Sequence, residues 1–219
     1  MKSHQSVPIH TLLRKIQNIP YVFIKTDATF PLYHKGQDID IFCYNKKQFA
    51  QQLFAFGNKY INNERDIRVI EITKWHTHID FMERDEIHIR FDLYEQLPQY
   101  RNIRIKPGYF YSIIENAISQ QYTFQKRIYT YYIPSKIDNL LLRYIEYIEY
   151  YQLRPDKIKH LTYVLREIRA HPDRISFLDK LHIYTDLPND FEMFSKYNLI
   201  TIFFNRLKLY GGRIFKLDI

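Results

Sequence analysis

The stretch "KGQDIDIFCY", residues 35–44, sets two aspartates two apart inside an apolar run. Aspartate is a poor strand former, yet Asp38 and Asp40 alternate with Ile39 and Ile41 in the period of two that a strand imposes. Both carboxylates then leave one face of the strand and both isoleucines the other. Like charges this close repel unless something positive lies between them. The stretch therefore predicts a strand whose two carboxylates are either simply solvated or held by a cation.

Outward from it, the pattern alternates between helix and strand. Upstream, "IHTLLRKIQN" (9–18) reads as a short amphipathic helix ended by Pro20, and "YVFIK" (21–25) as a strand. Downstream, residues 45–60 carry apolar side chains at helical spacing, with Asn45 placed to cap them. Three further strands are expected at 66–73, 75–82 and 86–94. The last two flank Glu83-Arg84-Asp85 and read as a hairpin symmetric about Arg84. Beyond "IKPGYF" (105–110) the character changes. Residues 135–152 and 156–170 are strong helical patterns, with Ser135 and Pro155 at their starts, and weaker ones fill 173–208. The expected fold class is α+β: a mixed-sheet module at 1–106 followed by a mostly helical one at 107–219. No repeat or low-complexity tract interrupts either.

Bulk properties narrow the partners. The net charge is +8, and residues 1–106 hold half of the 32 Lys/Arg and half of the 24 Asp/Glu. No basic arm stands out, so the charge suits a small anion such as a nucleotide better than a long nucleic acid. There are 20 Tyr and 16 Phe against 5 Gly, which points to compact packing with few flexible loops. The single cysteine, Cys43, allows no internal disulfide, and its apolar surroundings suggest a buried small hydrophobe. No signal peptide and no membrane span are read, so a cytoplasmic location is expected.

In "EIHIRFDLY" (86–94) the apolar residues alternate again, leaving Glu86, His88, Arg90 and Asp92 on the opposite face. If this strand neighbours the one at 38–41, Asp92 lies beside Asp38 and Asp40. Three converging carboxylates on a rigid sheet make a hard-oxygen site suited to Mg²⁺. A strand, a short turn, a gap of residues 27–37, the Asp38-Ile39-Asp40 doublet and a later strand acid together resemble the DNA polymerase β-like nucleotidyltransferase superfamily. The trailing helical segment is similar to the domain that usually follows such a core. The motifs cover residues 21–94, and the form looks closest to divergent bacterial members, some tied to surface-polysaccharide pathways.

The resemblance implies a mixed-sheet catalytic core. It implies that Asp38 and Asp40 ligate Mg²⁺ (or Mn²⁺) bound to a nucleoside triphosphate such as ATP, and that Asp92 holds a second ion and helps deprotonate an acceptor hydroxyl. The nucleoside monophosphate would pass to that acceptor, a sugar or polysaccharide precursor among the candidates, and pyrophosphate would leave. One departure stands at the turn, where the family's glycine is Lys25 and Thr26 takes the place of Gly or Ser. Thr26 would offer a hydroxyl, and Lys25 and Lys35 would neutralise phosphate. From the helical module, Lys157 or Lys159 would reach the β- or γ-phosphate, against the plainer reading of a solvated basic face that takes in His160. Two alternatives follow from the same residues: a phosphotransferase moving a different group, and a catalytically silent nucleotide-binding module.

His76, His78 and Asp80 share a strand face, which invites zinc. No well-spaced fourth ligand accompanies them, so they are read instead as lining the acceptor side or forming cross-strand polar pairs. Symmetry about Arg84 predicts His76 opposite Asp92, His78 opposite Arg90 and Asp80 opposite His88. The tyrosines at 144, 147, 150 and 151 are read as packing residues of a helix.

Overall fold

The computed structural model describes residues 8–26, 29–61, 65–151, 153–169 and 171–187. The chain forms two compact units, one made of residues 1–97 with 110–135 and the other of 98–109 with 136–219.

The first unit is built on a five-stranded mixed sheet. Its strands are β1 (Tyr21–Ile24), β2 (Gln37–Cys43), β3 (Ile67–Thr73), β4 (His76–Glu83) and β5 (Glu86–Tyr94). They lie in the order β1-β2-β5-β4-β3. β2 runs parallel to β5, and every other pair is antiparallel. The parallel pair is separated in sequence by a helix, α2 (Lys46–Gly57), and by two strands, as a crossover requires. A shorter helix, α1 (Ile9–Leu13), precedes β1.

Alternation decides which face of this sheet is buried. Ile39, Ile41, Ile79, Phe81, Ile89, Phe91 and Leu93 are all at most 5% exposed and pack with Phe49, Leu53 and Phe56 of α2 and with Leu12 and Leu13 of α1. Each such side chain contributes roughly 1.5–3 kcal/mol relative to exposure. The helix is held at its start by Asn45, whose side chain accepts from the Gln48 N–H at 2.8 Å. Near its end, Gly57 leaves room for the ring of Phe81, which a Cβ there would meet at 2.7 Å.

The β4–β5 hairpin differs from a connection of three residues. Its loop is the two-residue Arg84-Asp85, both at positive φ (51° and 65°), as a type I′ turn requires. Glu83 pairs with Glu86 and Met82 with Ile87, but Phe81 pairs with Ile89. His88 is left over as the extra residue of a β-bulge, which shifts all pairing beyond it by one.

A second hairpin, β6 (Ile118–Phe124) and β7 (Arg127–Ile133), follows the helix α3 (Gly108–Glu115). In the sequence, "YTYYI" (129–133) of the later strand reads as a strand or extended segment, whereas β6 is polar and largely exposed and gives no such signal. The hairpin belongs to the first unit because Tyr129 and Tyr131 bury in that unit's core, and Tyr131 Oη donates to the Phe30 carbonyl at 3.2 Å.

The described part of the second unit carries α4 (Lys136–Tyr150), a 3₁₀ turn (Pro155–Lys157), α5 (Ile158–Glu167) and α6 (His171–Tyr184). Tyr144 and Tyr147 are buried in α4. The helical expectation for 188–208 lies outside the described residues. Among the described residues, no helix is long and apolar enough to cross a membrane.

Candidate functional site

The face of the five-stranded sheet opposite α2 carries the charged residues, beside the buried Val22, Ile24 and Phe42, and these residues meet in rows set by register. Asp40 is the Cα partner of Asp92, and Asp92 is the partner of His78. In the next row Asp38 faces Arg90, and Arg90 faces Asp80. In the row on the other side His76 faces Tyr94. The expected adjacency of Asp38, Asp40 and Asp92 is thus realised through direct β2–β5 pairing. The two-residue turn and the bulge together displace the expected hairpin pairs by two residues: His78, not His76, lies opposite Asp92, and Asp80 lies opposite Arg90, not His88.

The buried end of the site is Asp92, which is 8% exposed. Its carboxyl is pushed up to about 7, first by burial and then by the neighbouring Asp40 and Asp38. The Asp92 Oδ1 atom has no hydrogen-bond partner, although His78 Nε2 lies 3.3 Å away. His76 Nε2 is also buried without a partner. The His76 ring stacks on Tyr94 at 4.0 Å and meets His78 edge-on at 4.6 Å. Burial, and after it the second imidazole, lower His76 to about 4; His78 is lowered by burial and by Arg90. The ligating atoms of His76, His78 and Asp92 all lie within 4.8 Å of one another.

Two cations hold the rest of this face. Arg90 donates from Nε and Nη2 to the two oxygens of Asp80, at 2.7 and 2.9 Å, and Asp80 is 1% exposed. That fork clamps β4 to β5 directly beside Asp38. On the other side, Lys25 places Nζ 3.1 Å from Asp40 Oδ2. Lys25 has φ +57°, in the left-handed region that glycine enters most easily. The position at which the resemblance expects glycine therefore does take up a glycine-like backbone, and the lysine side chain folds back onto the aspartate doublet.

The remaining candidates lie elsewhere. Lys35 pairs with Glu86 at 2.6 Å, at the far end of β2 from Asp40. Thr26 is half-buried in the loop after β1. In the second unit, Lys157 is buried in an ion pair with Glu146, while Lys159 is exposed on α5. His88, the bulge residue, is engaged by Tyr33 Oη at Nε2 (2.9 Å) and lies 3.3 Å from Glu83 at Nδ1, away from the carboxylate rows. Cys43 is fully buried, and burial drives its thiol up to about 12, so it is no nucleophile at neutral pH.

Compared with known proteins, the chain matches no family model and no curated protein. The site's chemistry follows from its own atoms.

Those atoms suit a cation. A buried carboxylate oxygen and a buried imidazole nitrogen, both orphaned and both in one cluster, are donors without an acceptor of their electron pairs. The titration of the cluster adds a measurable consequence. Asp92 shifts from 3.8 to about 7, so the folded state binds its proton more tightly, and the stability this contributes at low pH is lost as pH rises through that window. His76 shifts from 6.5 to about 4, and its contribution is lost as pH falls through that window. The two oppose each other between about pH 4 and 6.5. In chelator at pH 8, Asp92→Asn is therefore expected to be more stable than the parent by about 1–3 kcal/mol, measured by urea unfolding. A lower stability would show that Asp92 is already neutralised within the protein.

Proposed function

We propose that the protein is a metal-dependent nucleotidyltransferase that moves a nucleoside monophosphate from a nucleoside triphosphate to an acceptor hydroxyl, with release of pyrophosphate. The observation that carries this reading is the in-register pairing of Asp40 with Asp92, with Asp38 one row away, on a sheet whose other face is buried. Rigid strands hold the three carboxylates without a loop between them.

In this reading Asp38, Asp40 and Asp92 hold Mg²⁺. The bound metal supplies Lewis-acid charge at the phosphates and lowers the cost of deprotonating a hydroxyl. Asp92 is pushed up to about 7 by burial and by its neighbouring carboxylates, and a bound ion would lower it and keep it ionised as a ligand. Arg90, fixed by Asp80, keeps a positive charge at the edge of the carboxylate row. The test is transfer from α-phosphate-labelled nucleoside triphosphates with Mg²⁺ across a panel of hydroxyl acceptors. Label that stays in free nucleotide with every acceptor counts against the assignment, and label transferred from the γ-position instead points to a phosphotransferase.

The Lys25–Asp40 ion pair favours a second reading, a nucleotide-binding module that does not turn over. Lys25 occupies a position where it pairs with Asp40 without metal. The Lys25→Gly variant separates the effects. The left-handed φ costs an L-residue about 1–2 kcal/mol, and glycine gives back about 0.5–1 kcal/mol in chain entropy. Stability is expected to change by less than about 1 kcal/mol. Mg²⁺ should bind several-fold more tightly by calorimetry, because the competing ammonium is gone. Weaker binding would mean that Lys25 helps to organise the site and does not compete with the ion.

A further inference from the structure

We propose that His76, His78 and Asp92 form a binding site for one transition-metal ion of the Zn²⁺ class. The inference goes beyond the nucleotidyltransferase reading because it requires no nucleotide and rests on two imidazoles, sharing only Asp92 with the all-carboxylate set.

The geometry begins with strand alternation. His76 and His78, two apart on β4, leave the same face, and register brings Asp92 of β5 directly opposite His78. A tetrahedral zinc ion with bonds of about 2.0–2.1 Å holds its ligand atoms about 3.4 Å apart. His78 Nε2 and Asp92 Oδ1 already stand 3.3 Å apart. The third ligand atom, from His76, lies within 4.8 Å of both.

A purely structural role for the cluster fits less well. A cross-strand histidine–aspartate pair stabilises a sheet by hydrogen bonding, yet Asp92 Oδ1 makes no hydrogen bond despite its proximity to His78. His76 Nε2 is buried and unpaired as well. Leaving buried polar groups unpaired is costly. One ion coordinated by all three residues removes every one of those deficits.

The donor set selects the metal. Two imidazole nitrogens and one carboxylate match zinc, iron or nickel, whereas Mg²⁺ demands oxygen and octahedral geometry. Three protein ligands on a partly open face leave a fourth position for water or a substrate oxygen. His76 and His78 are only half-buried, so an ion has access from solvent.

The experiment uses the full chain stripped with chelator and titrated by calorimetry with ZnCl₂ or MgCl₂, without nucleotide. One Zn²⁺ per chain should bind, at least about a hundredfold more tightly than Mg²⁺. His76→Gln, His78→Ala and Asp92→Asn should each weaken zinc at least about tenfold, with circular dichroism reporting that the fold is kept. Co²⁺ in place of zinc should give visible ligand-field bands that His78→Ala abolishes. His34→Ala, an exposed histidine outside the cluster, should bind as the parent does. Absence of zinc binding, or equal binding in His76→Gln and His78→Ala, overturns the inference. Failure of nucleotide transfer does not touch it, because zinc is read without nucleotide, and failure of zinc binding leaves the carboxylate reading to its own assay.

Discussion

Asp40→Asn is expected to abolish transfer of α-phosphate, by about a thousandfold or more, while the protein stays folded. Asparagine keeps the shape of aspartate and removes the charge that would hold a divalent ion. Asp40 lies between Ile24 of β1 and Asp92 of β5 in register, so its charge acts on the metal and on Asp92 at once. Asp38→Asn is expected to behave in the same way for the metal. Neither substitution opens a cavity, since Asp38 is exposed and the Asp40 side chain is 18% exposed. In chelator, Asp38→Asn relieves repulsion among the carboxylates and should equal or exceed the parent's thermal midpoint, whereas Asp40→Asn also loses the Lys25 ion pair and should stay close to it. The decisive measurement is the turnover of each variant at saturating nucleotide, set beside its unfolding curve. Full activity in Asp40→Asn would end the nucleotidyltransferase reading. Lost activity with a collapsed fold would show only that the residue is structural.

The largest effect on stability is expected at Asp80. Its carboxylate is 1% exposed and accepts both arms of the Arg90 fork. Removing one partner of a buried ion pair typically costs about 3–5 kcal/mol. The Arg90 side chain is 22% exposed, so water recovers part of that loss for the stranded guanidinium. Asp80→Ala should therefore lower stability by about 2–4 kcal/mol, read as a fall in the urea midpoint. The double variant Asp80→Leu with Arg90→Met should recover most of it, because an apolar pair of similar volume meets no desolvation penalty. If the double variant is no more stable than Asp80→Ala, the pair contributes through strand geometry and not through charge. A functional difference should accompany the recovery: Arg90 stands opposite Asp38, and its loss removes the fixed positive charge beside the carboxylates.

How much of this was legible in the chain itself can be judged residue by residue. Alternation in 37–43, 76–83 and 86–94 was enough to put Asp38, Asp40, His76, His78, Asp80, Arg90 and Asp92 on polar faces, because side-chain direction in a strand has a period of two whatever the strand pairs with. The periodicity of 45–60 and 135–152 likewise determined helices α2 and α4, and Asn45 marked the start of the first. Hairpin β6–β7 was only half visible, since an exposed polar strand such as β6 carries no amphipathic signature.

Register was another matter. The hairpin around Arg84 appeared symmetric, and nothing in "FMERDEIHIRF" marks His88 as a bulge. That extra residue is tolerated because His88 finds Tyr33 and Glu83, partners distant or across the turn. A slip of two residues, one from the two-residue turn and one from the bulge, decides whether Asp92 meets His76 or His78 and whether Arg90 clamps Asp80 at all. The Lys25 side chain is a similar case. Sequence marked the position as a lost glycine, while the tertiary structure puts its backbone at φ +57° and its ammonium on Asp40. The chain by itself determined which faces are polar, because that is a local property of each strand. Only the folded sheet decided which polar residues meet, because turn geometry, one bulge and a parallel crossover act together across more than fifty residues.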